Sequence, residues 1–356
     1  MKKVSKSNLD DFFFIAEIGV NHEGSIDLAK KMIKEVASAG AHAAKFQTYK
    51  ADLISAKESP AYWDLKKEPT KSQNELFKKY DNFEKKDYEL LKKECEKYGI
   101  QFMSTPFDIE CLHWLIPLMK VVKIASADIT NNILLEEVSK YKKPMILSVG
   151  ASTDDEIIYA VNFLIKNGIK DITLLHCMLL YPTSKDLGFL HRINEIKKLF
   201  QEKINIKVGY SDHISPHEAD NDQLLVARAL GASVIEKHFT FNKNLSGNDH
   251  YHALDKNDLK KIIKRLKNLD SMISNKQEFQ KKGLSIQKEA ILNARRSLFY
   301  SKNLSKGSTI KKEHLIAKRP GQGISPKFYE SLIGKKIIKD VKEDQIISYS
   351  DFEKLS

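Results

Sequence analysis

Short apolar runs that end in polar or ionisable residues recur along this chain. The first run, Phe12–Ala16, leads directly into Glu17. Apolar runs of this length are typical of buried β-strands. Seven later runs end in comparable groups: Lys45–Thr48, Ser104–Phe107, Lys123–Ser126, Ser148–Gly150, His176–Cys177, Ser211–His213 and Glu236–His238. The pattern predicts eight strands with polar side chains at their carboxyl ends.

Amphipathic segments with helical spacing lie between these runs. They are Leu28–Ala39, Lys86–Tyr98, Glu110–Leu118, Leu134–Tyr141, Asp154–Asn167, Leu190–Glu202, His217–Leu230 and Lys256–Ile273. Alternation of strands and helices at this spacing predicts parallel strands joined by helical crossovers. Eight repeats over about 270 residues predict an α/β fold of the (β/α)8 TIM-barrel type. A doubly wound open sheet is the alternative, but no Gly-x-Gly-x-x-Gly follows the first strand.

The character of the sequence changes after Ile273. We predict a barrel domain over residues 1–273, a polar linker over 274–294 and a small β-rich domain over 295–356. The last segment contains three short β-like runs, Ser297–Tyr300, Lys336–Ile338 and Gln345–Tyr349. A domain of about 60 residues is near the lower limit for independent folding, so we expect it to pack against another surface.

One long insertion interrupts the alternation. Ala51–Phe83 lies between the second and third predicted strands and contains several aromatic residues. Long insertions on the catalytic face of a barrel shape the substrate pocket in many enzymes. An additional packing helix is the equally weighted alternative.

Composition narrows the function class. The formal charge is +12, but the lysines alternate with acidic and apolar residues along the helical segments. This dispersion favours a solvated surface over a nucleic-acid groove. No apolar run reaches the ~20 residues that a membrane helix needs. Three cysteines without paired spacing indicate a reduced, cytoplasmic compartment.

Two histidines are candidate metal ligands. His213 and His238 end the seventh and eighth predicted strands. Neighbouring parallel strands lie about 4.8 Å apart, so both imidazoles can reach one cation. Two protein ligands leave positions open for substrate, as a catalytic metal requires. A structural histidine that only donates hydrogen bonds is the alternative for either residue.

Other rim residues are suited to binding an anion. Lys45 and Lys123 with Ser126, Ser148 and Ser211 offer the charges and hydroxyls that bind phosphate or carboxylate. A Schiff-base lysine is the alternative.

Glu17 and Asp128 are carboxylates at the rim, and each is a candidate general base, metal-shell acceptor or acceptor of a substrate hydroxyl. The remaining candidate pocket residues are Gln47, Thr105, Phe107, Tyr181, Asp249 and, in the C-terminal segment, Arg319.

Taken together, seven ordered motifs resemble the sialic acid synthases, the family of N-acetylneuraminate, legionaminate and pseudaminate synthases. These motifs are Glu17–Gly24, Lys45–Thr48, Ser104–Asp108, Lys123–Ser126, Gly209–His213, Glu236–Thr240 and Lys318–Gly323. The segment 295–356 resembles the antifreeze-like (SAF) domain of that family.

The resemblance implies that phosphoenolpyruvate condenses with an N-acylated hexosamine, giving a nine-carbon 2-keto acid and phosphate. It implies that His213 and His238 bind a divalent cation, with Mn²⁺ as the first choice and Mg²⁺ or Co²⁺ as alternatives. Glu17 would act on water or on the sugar. Five residues would bind phosphoenolpyruvate, namely Thr105, Lys123, Ser126, Ser148 and Ser211. Five further residues would face the sugar and the metal, namely Lys45, Gln47, Tyr181, Glu236 and Asp249.

The resemblance also implies a domain-swapped homodimer, in which Arg319 reaches the N-acyl group of the sugar bound to the other subunit. Three positions depart from the neuraminate pattern. Leu179 replaces an Asn, Asp128 replaces a Glu, and Asn248 replaces a Pro. These differences leave the hexosamine open. A metal-dependent TIM-barrel hydrolase, or another enzyme that condenses phosphoenolpyruvate with an aldose, is the alternative function.

Overall fold

The computed structural model describes residues 12–63, 65–66, 68–201, 205–247, 249–273, 280 and 282–353. The chain divides into two compact units, Met1–Ile273 and Ser274–Ser356. In the described residues, no helix is both long enough and apolar enough to cross a membrane.

The first unit is built around a parallel sheet. Its described strands are β1 (Phe13–Gly19), β2 (Ala43–Thr48), β3 (Gln101–Pro106), β4 (Val122–Ile124), β5 (Met145–Ser148), β6 (Ile172–His176), β7 (Ile206–Asp212) and β8 (Val234–His238). They are hydrogen-bonded in the order β3-β2-β1-β8-β7-β6-β5-β4, and β3 lies next to β4. The sheet therefore curls into a nearly closed barrel, and the prediction of a TIM barrel is confirmed.

Helices cover the outside of this barrel. Those in the described residues are α1 (Ile26–Ala39), α2 (Ala51–Ile54), α3 (Gln73–Lys78), α4 (Lys85–Lys97), α5 (Ile109–Leu115), α6 (Asn132–Ser139), α7 (Asp154–Lys166), α8 (Arg192–Leu199), α9 (Pro216–Ala219), α10 (Asp222–Ala229) and α11 (Lys256–Met272). The apolar faces of the longer helices, such as α1, α4 and α11, pack on outward-facing strand residues such as Phe14, Ala16 and Ile18. The inserted segment between β2 and β3 supplies the short helices α2 and α3.

One predicted helix is broken in the structure, and others differ in their bounds. The helix predicted over His217–Leu230 is broken into α9 and α10, because Asp220 and Asn221 adopt left-handed backbone conformations with φ of 44° and 62°. Such conformations end a right-handed helix. The helix predicted over Leu190–Glu202 is shorter than expected, with observed bounds Arg192–Leu199, and Glu202 lies outside the described residues.

The second unit has a small core of its own. It contains helix α12 (Lys288–Ala294), within the segment predicted as a linker, and the antiparallel strands β9 (Ser297–Tyr300) and β10 (Leu315–Lys318). The β-like runs predicted near Lys336 and Ile346 form isolated bridges, to Thr309 and Phe299, instead of continuous strands. Strand β10 was not predicted, because its apolar run Leu315–Ala317 is only three residues long and shows no alternation of apolar and polar residues.

Candidate active site

Two layers of side chains fill the inside of the barrel. The lower layer is apolar and includes Ile15, Ala43, Met103, Ile146 and Val234. Side chains on one face of a strand recur every second residue. The residue two positions further along each of these strands is polar and buried, giving the upper layer Glu17, Lys45, Thr105, Ser148 and Glu236. The strand period therefore directs these polar groups to the carboxyl rim of the barrel.

Glu17 and Lys45 form the tightest ion pair of this upper layer. Lys45 Nζ lies 2.6 Å from Glu17 Oε2 and donates a 3.2 Å hydrogen bond to Thr105 Oγ1. Gln47 Nε2 donates to the other carboxylate oxygen of Glu17 at 3.3 Å. Burial raises the pKa of Glu17 to about 7, although the charge of Lys45 acts in the opposite direction. A carboxyl with this pKa can exchange a proton near neutral pH.

Glu236 lies between the two lysines. Its carboxylate oxygens are each 3.7 Å from a lysine nitrogen, that of Lys45 on one side and that of Lys123 on the other. Ser211 Oγ donates to Glu236 Oε1 at 2.9 Å. Burial alone would raise the pKa of Glu236, but Lys123 and Lys45 outweigh it and hold that pKa below the ordinary value. Glu236 is thus an ionised carboxylate that fixes both lysines.

Lys123 faces the hydroxyl groups expected to bind an anion. Its Nζ donates to Ser148 Oγ at 2.8 Å and to Ile124 O at 3.1 Å. Burial is the largest effect and lowers the pKa of Lys123, with partial compensation from Glu236. Ser126 Oγ accepts a 3.0 Å hydrogen bond from Gly150 N and lies 3.0 Å from Cys177 Sγ. A Cβ on Gly150 would come within 2.7 Å of that sulfur, so the backbone approach needs glycine.

The two candidate metal ligands lie on neighbouring strand ends, with ring centroids 5.7 Å apart. His213 Nδ1 is 2.6 Å from Met178 O, which selects the tautomer that leaves the Nε2 lone pair open. Burial lowers the pKa of His213 to about 4 and places that of His238 well below its ordinary value. Both imidazoles are therefore neutral near pH 7, as metal ligands must be.

A buried carboxylate and a third histidine lie beside His238. Its Nδ1 is 3.7 Å from Asp249 Oδ2 and has no hydrogen-bond partner among the described residues. His238, Asp249 and His252 each offer one ligand atom, and the three atoms lie within 4.8 Å of one another. These donors fit a divalent cation, because they combine imidazole nitrogens with a carboxylate. His213 adjoins this group without belonging to it.

The upper layer opens into one cavity of about 540 Å³. Its wall includes all of the site residues predicted in the barrel, among them Asp128, Phe107 and Tyr181. The Tyr181 ring packs 4.2 Å from the His213 ring. The inserted segment contributes Leu53, Tyr62 and Phe77 to this wall, which favours a substrate-shaping role over one of packing alone.

The remaining predicted residues are placed as follows. Leu179 lines the cavity, and Asn248 lies outside the described residues. Asp128 is half-buried and accepts a 3.1 Å hydrogen bond from Asn131 Nδ2. Burial raises the pKa of Asp128. Arg319 belongs to the second unit, so its role stays a prediction.

His252 is a candidate metal ligand that was not predicted from the sequence. It follows β8 in the loop before α11, where no apolar run marks a strand end. The only available signal was its position two residues after His250 and three after Asp249.

Comparison with known proteins identifies relatives over the whole chain. Residues 32–278 match the model of the NeuB family, and residues 295–353 match the SAF domain. An N,N'-diacetyllegionaminic acid synthase of Campylobacter jejuni is 39% identical over 338 residues, covering 94% of this chain and 98% of the relative. A pseudaminic acid synthase of the same species is 33% identical over 355 residues, covering 96% of each protein.

A solved structure gives the same result. The N-acetylneuraminic acid synthetase of Leptospira borgpetersenii, crystallised with citrate, superposes with a TM-score of 0.66 at 31% identity, covering 81% of this chain and 95% of that one. The fold, the family model and these relatives agree, and the chain belongs to the NeuB family of sialic acid synthases, with a SAF domain at residues 295–353.

Proposed function

We propose that this protein condenses phosphoenolpyruvate with the open-chain aldehyde of an N-acylated hexosamine. The new bond joins C3 of phosphoenolpyruvate to the aldehyde carbon, one water is consumed, and inorganic phosphate leaves. The product is a nine-carbon sialic-acid-like 2-keto acid. One observation carries the proposal: Lys45 and Lys123 flank Glu236 in the wall of one cavity that His213 and His238 also line.

The lysine side of the cavity suits phosphoenolpyruvate, which carries a phosphate and a carboxylate. Lys123 and Ser148 already share a hydrogen bond, and Ser126 is fixed by Gly150 N. Charged donors and hydroxyls arranged in this way bind doubly anionic groups strongly. We assign Lys123, Ser126, Ser148, Ser211 and Thr105 to this anion.

The histidine side suits the sugar aldehyde. A divalent cation held there supplies positive charge where negative charge develops on the aldehyde oxygen during carbon–carbon bond formation. We propose Mn²⁺, since imidazole and carboxylate donors together suit it. Glu17, with its pKa near 7, accepts a proton from the attacking water or from a sugar hydroxyl. Gln47, hydrogen-bonded to Glu17, positions that carboxylate.

The hexosamine we favour is a 2,4-diacetamido-trideoxyhexose, with N-acetylmannosamine as the alternative. The cavity wall carries Leu53, Phe77 and Leu179, which offer apolar contacts to a deoxy methyl group or a second acyl group. A single apolar contact discriminates between two sugars by about 1–3 kcal/mol, so strong selectivity for one hexosamine requires several such contacts. The 39% identity to a diacetyllegionaminic acid synthase supports the same choice.

We further propose that the protein is a cytoplasmic homodimer in which the SAF domain of one subunit covers the cavity of the other. The cysteines Cys95, Cys111 and Cys177 are unpaired and buried, as suits a reducing compartment. A cover over the cavity would exclude water from a reaction that needs only one water molecule.

The first experiment is a phosphate-release assay with the purified protein, phosphoenolpyruvate and Mn²⁺. N-acetylmannosamine, 2,4-diacetamido-2,4,6-trideoxymannose and the corresponding altrose are compared, each with and without chelator. We expect chelator-sensitive release that is fastest with a diacetamido sugar. Release without any sugar would indicate a phosphatase, and no release with any of the three sugars would refute the proposed substrate class.

A further inference from the structure

His252 is fully buried beside His213 and His238, the two histidines predicted to bind the metal. Its ring lies 4.8 Å from the ring of His238 and 6.2 Å from that of His213. Strands β7 and β8 position those two histidines, whereas His252 comes from the loop that follows β8.

The spacing of the polar atoms indicates a cation site. Asp249 Oδ2 is 3.7 Å from His238 Nδ1, and Asp249 Oδ1 is 4.0 Å from His252 Nε2. Hydrogen bonds between these groups would be about 2.7–3.2 Å long. In both pairs, the nitrogen and the oxygen therefore lie further apart than in a direct hydrogen bond. A cation with bonds of about 2.0–2.2 Å fits between donor atoms roughly 4 Å apart.

The loop that carries these donors is held in place. Asn21 Nδ2 donates to Phe239 O at 3.0 Å and to Asp249 O at 3.3 Å, which ties the loop to the end of β1. Tyr251 OH donates to Tyr181 O at 2.7 Å, and the Tyr181 ring lies 5.6 Å from the His252 ring. Anchored donors bind a metal without a large ordering cost.

We propose that His252 is a metal ligand of this protein, acting with His238 and Asp249, and that His213 supplies a further nitrogen through Nε2. The inference deepens the proposed function, since the same cation would serve the sugar aldehyde. Three imidazoles and one carboxylate favour first-row transition cations over Mg²⁺, which prefers oxygen donors. The sequence-predicted pair thus becomes part of a larger donor set.

The test is metal binding by the purified full chain, measured by titration calorimetry with Mn²⁺ and with Mg²⁺. His252→Phe keeps the aromatic packing and removes both nitrogens, and His252→Gln keeps a polar side chain. We expect Mn²⁺ binding to weaken at least ~10-fold in both variants, with a smaller change for Mg²⁺. His176→Phe is the matched control, because His176 is also buried at a strand end but bonds to Gly188 O. It should bind Mn²⁺ like the wild type.

Pulsed electron paramagnetic resonance of the Mn²⁺-loaded wild type provides a test that needs no variant. Coupling to three imidazole nitrogens is expected, and coupling to two or fewer would overturn the proposal. Unchanged Mn²⁺ affinity in folded His252 variants would also overturn it.

Phosphate release separates the two proposals. If the wild type releases phosphate and His252→Phe binds metal normally, the ligand role of His252 is refuted and the proposed synthase activity stands. If the Mn²⁺-loaded protein shows three-nitrogen coupling but releases no phosphate, the ligand role of His252 stands and the proposed synthase activity is refuted.

Discussion

Lys237 and Asp212 form an ion pair that solvent does not reach, with 2.5 Å between Nζ and Oδ2 and both side chains fully buried. Asp212 ends β7 and precedes His213, and Lys237 precedes His238 on β8. The pair points away from the cavity and joins the two strand ends that carry the candidate metal ligands. Tyr210 OH and Gln223 Nε2 also donate to Asp212, at 2.8 Å and 2.7 Å.

Removing the lysine of this pair should strongly destabilise the protein. Lys237→Met leaves the buried Asp212 charge without its partner, which costs about 3–5 kcal/mol in comparable proteins. Urea unfolding followed by circular dichroism measures the change. The double variant Lys237→Met/Asp212→Leu should recover much of the loss, because no uncompensated charge remains. Lys261→Met is the control, since its exposed pair with Asp220 should contribute under ~1 kcal/mol. A Lys237→Met variant as stable as this control would contradict the prediction.

The ionisation of Glu17 should determine how kcat/KM falls on the acidic side of the pH profile, its acid limb. Its pKa of about 7 lies above the ordinary 4.5, chiefly because of burial, so the carboxyl becomes ionised only as the pH rises through neutrality. If the ionised form accepts the proton, kcat/KM should rise with pH and level off above about 7. The limb should be absent from the residual activity of Glu17→Gln. A wild-type profile that is flat between pH 6 and 8 would exclude Glu17 as the base.

The raised pKa of Glu17 also predicts that the stability of the protein falls as the pH rises, whereas its activity increases. The folded protein holds the Glu17 proton more tightly than the unfolded chain does, so this residue's contribution is fully present below pH 4.5. It is lost as the pH rises from 4.5 to about 7. Relative to Glu17→Gln, the free energy of unfolding of the wild type should therefore fall across this window. Urea titrations at intervals of pH measure the difference, and a constant difference would contradict the assigned pKa.

Much of this arrangement follows from local sequence rules. A period of two places Glu17 above Ile15 and Lys45 above Ala43, so the rim residues can be read from the strands alone. The pKa of Glu17 cannot be predicted in this way, because it depends on complete burial and on charges from three other strands. His252 could not be predicted either, since its place beside His238 depends on how the loop after β8 folds back against Asn21 and Tyr181. The break at Asp220 was missed because both neighbouring segments have helical composition.

The two rim lysines should have separable roles. Lys123→Met removes the donor to Ser148 and should raise the KM for phosphoenolpyruvate more than that for the sugar, because its neighbours are the hydroxyls proposed to bind the anion. Lys45→Met frees Glu17 from its 2.6 Å ion pair and should mainly lower kcat. Steady-state kinetics with each substrate varied in turn measures both effects. Equal changes in both KM values for Lys123→Met would argue against an anion site at Ser148.

Arg319 tests the proposed cover over the cavity. A guanidinium offers a planar fork of donors that a lysine ammonium cannot reproduce, so Arg319→Lys should behave almost like Arg319→Ala if the residue binds an acyl carbonyl of the sugar. Both variants should raise the KM for the hexosamine at least ~10-fold, as expected for loss of a charged hydrogen bond of about 1.5–3 kcal/mol. The KM for phosphoenolpyruvate should change little. Lys318→Ala is the matched control, because Lys318 is adjacent in sequence but pairs with Asp344.

Mixing Arg319→Ala chains with Glu17→Gln chains, which should keep only residual activity, tests the swap directly. If each SAF domain serves the other subunit, the mixed dimer has one cavity with both lesions and one with neither, so activity should be regained. If each SAF domain serves its own barrel, every cavity keeps one lesion and mixing restores nothing.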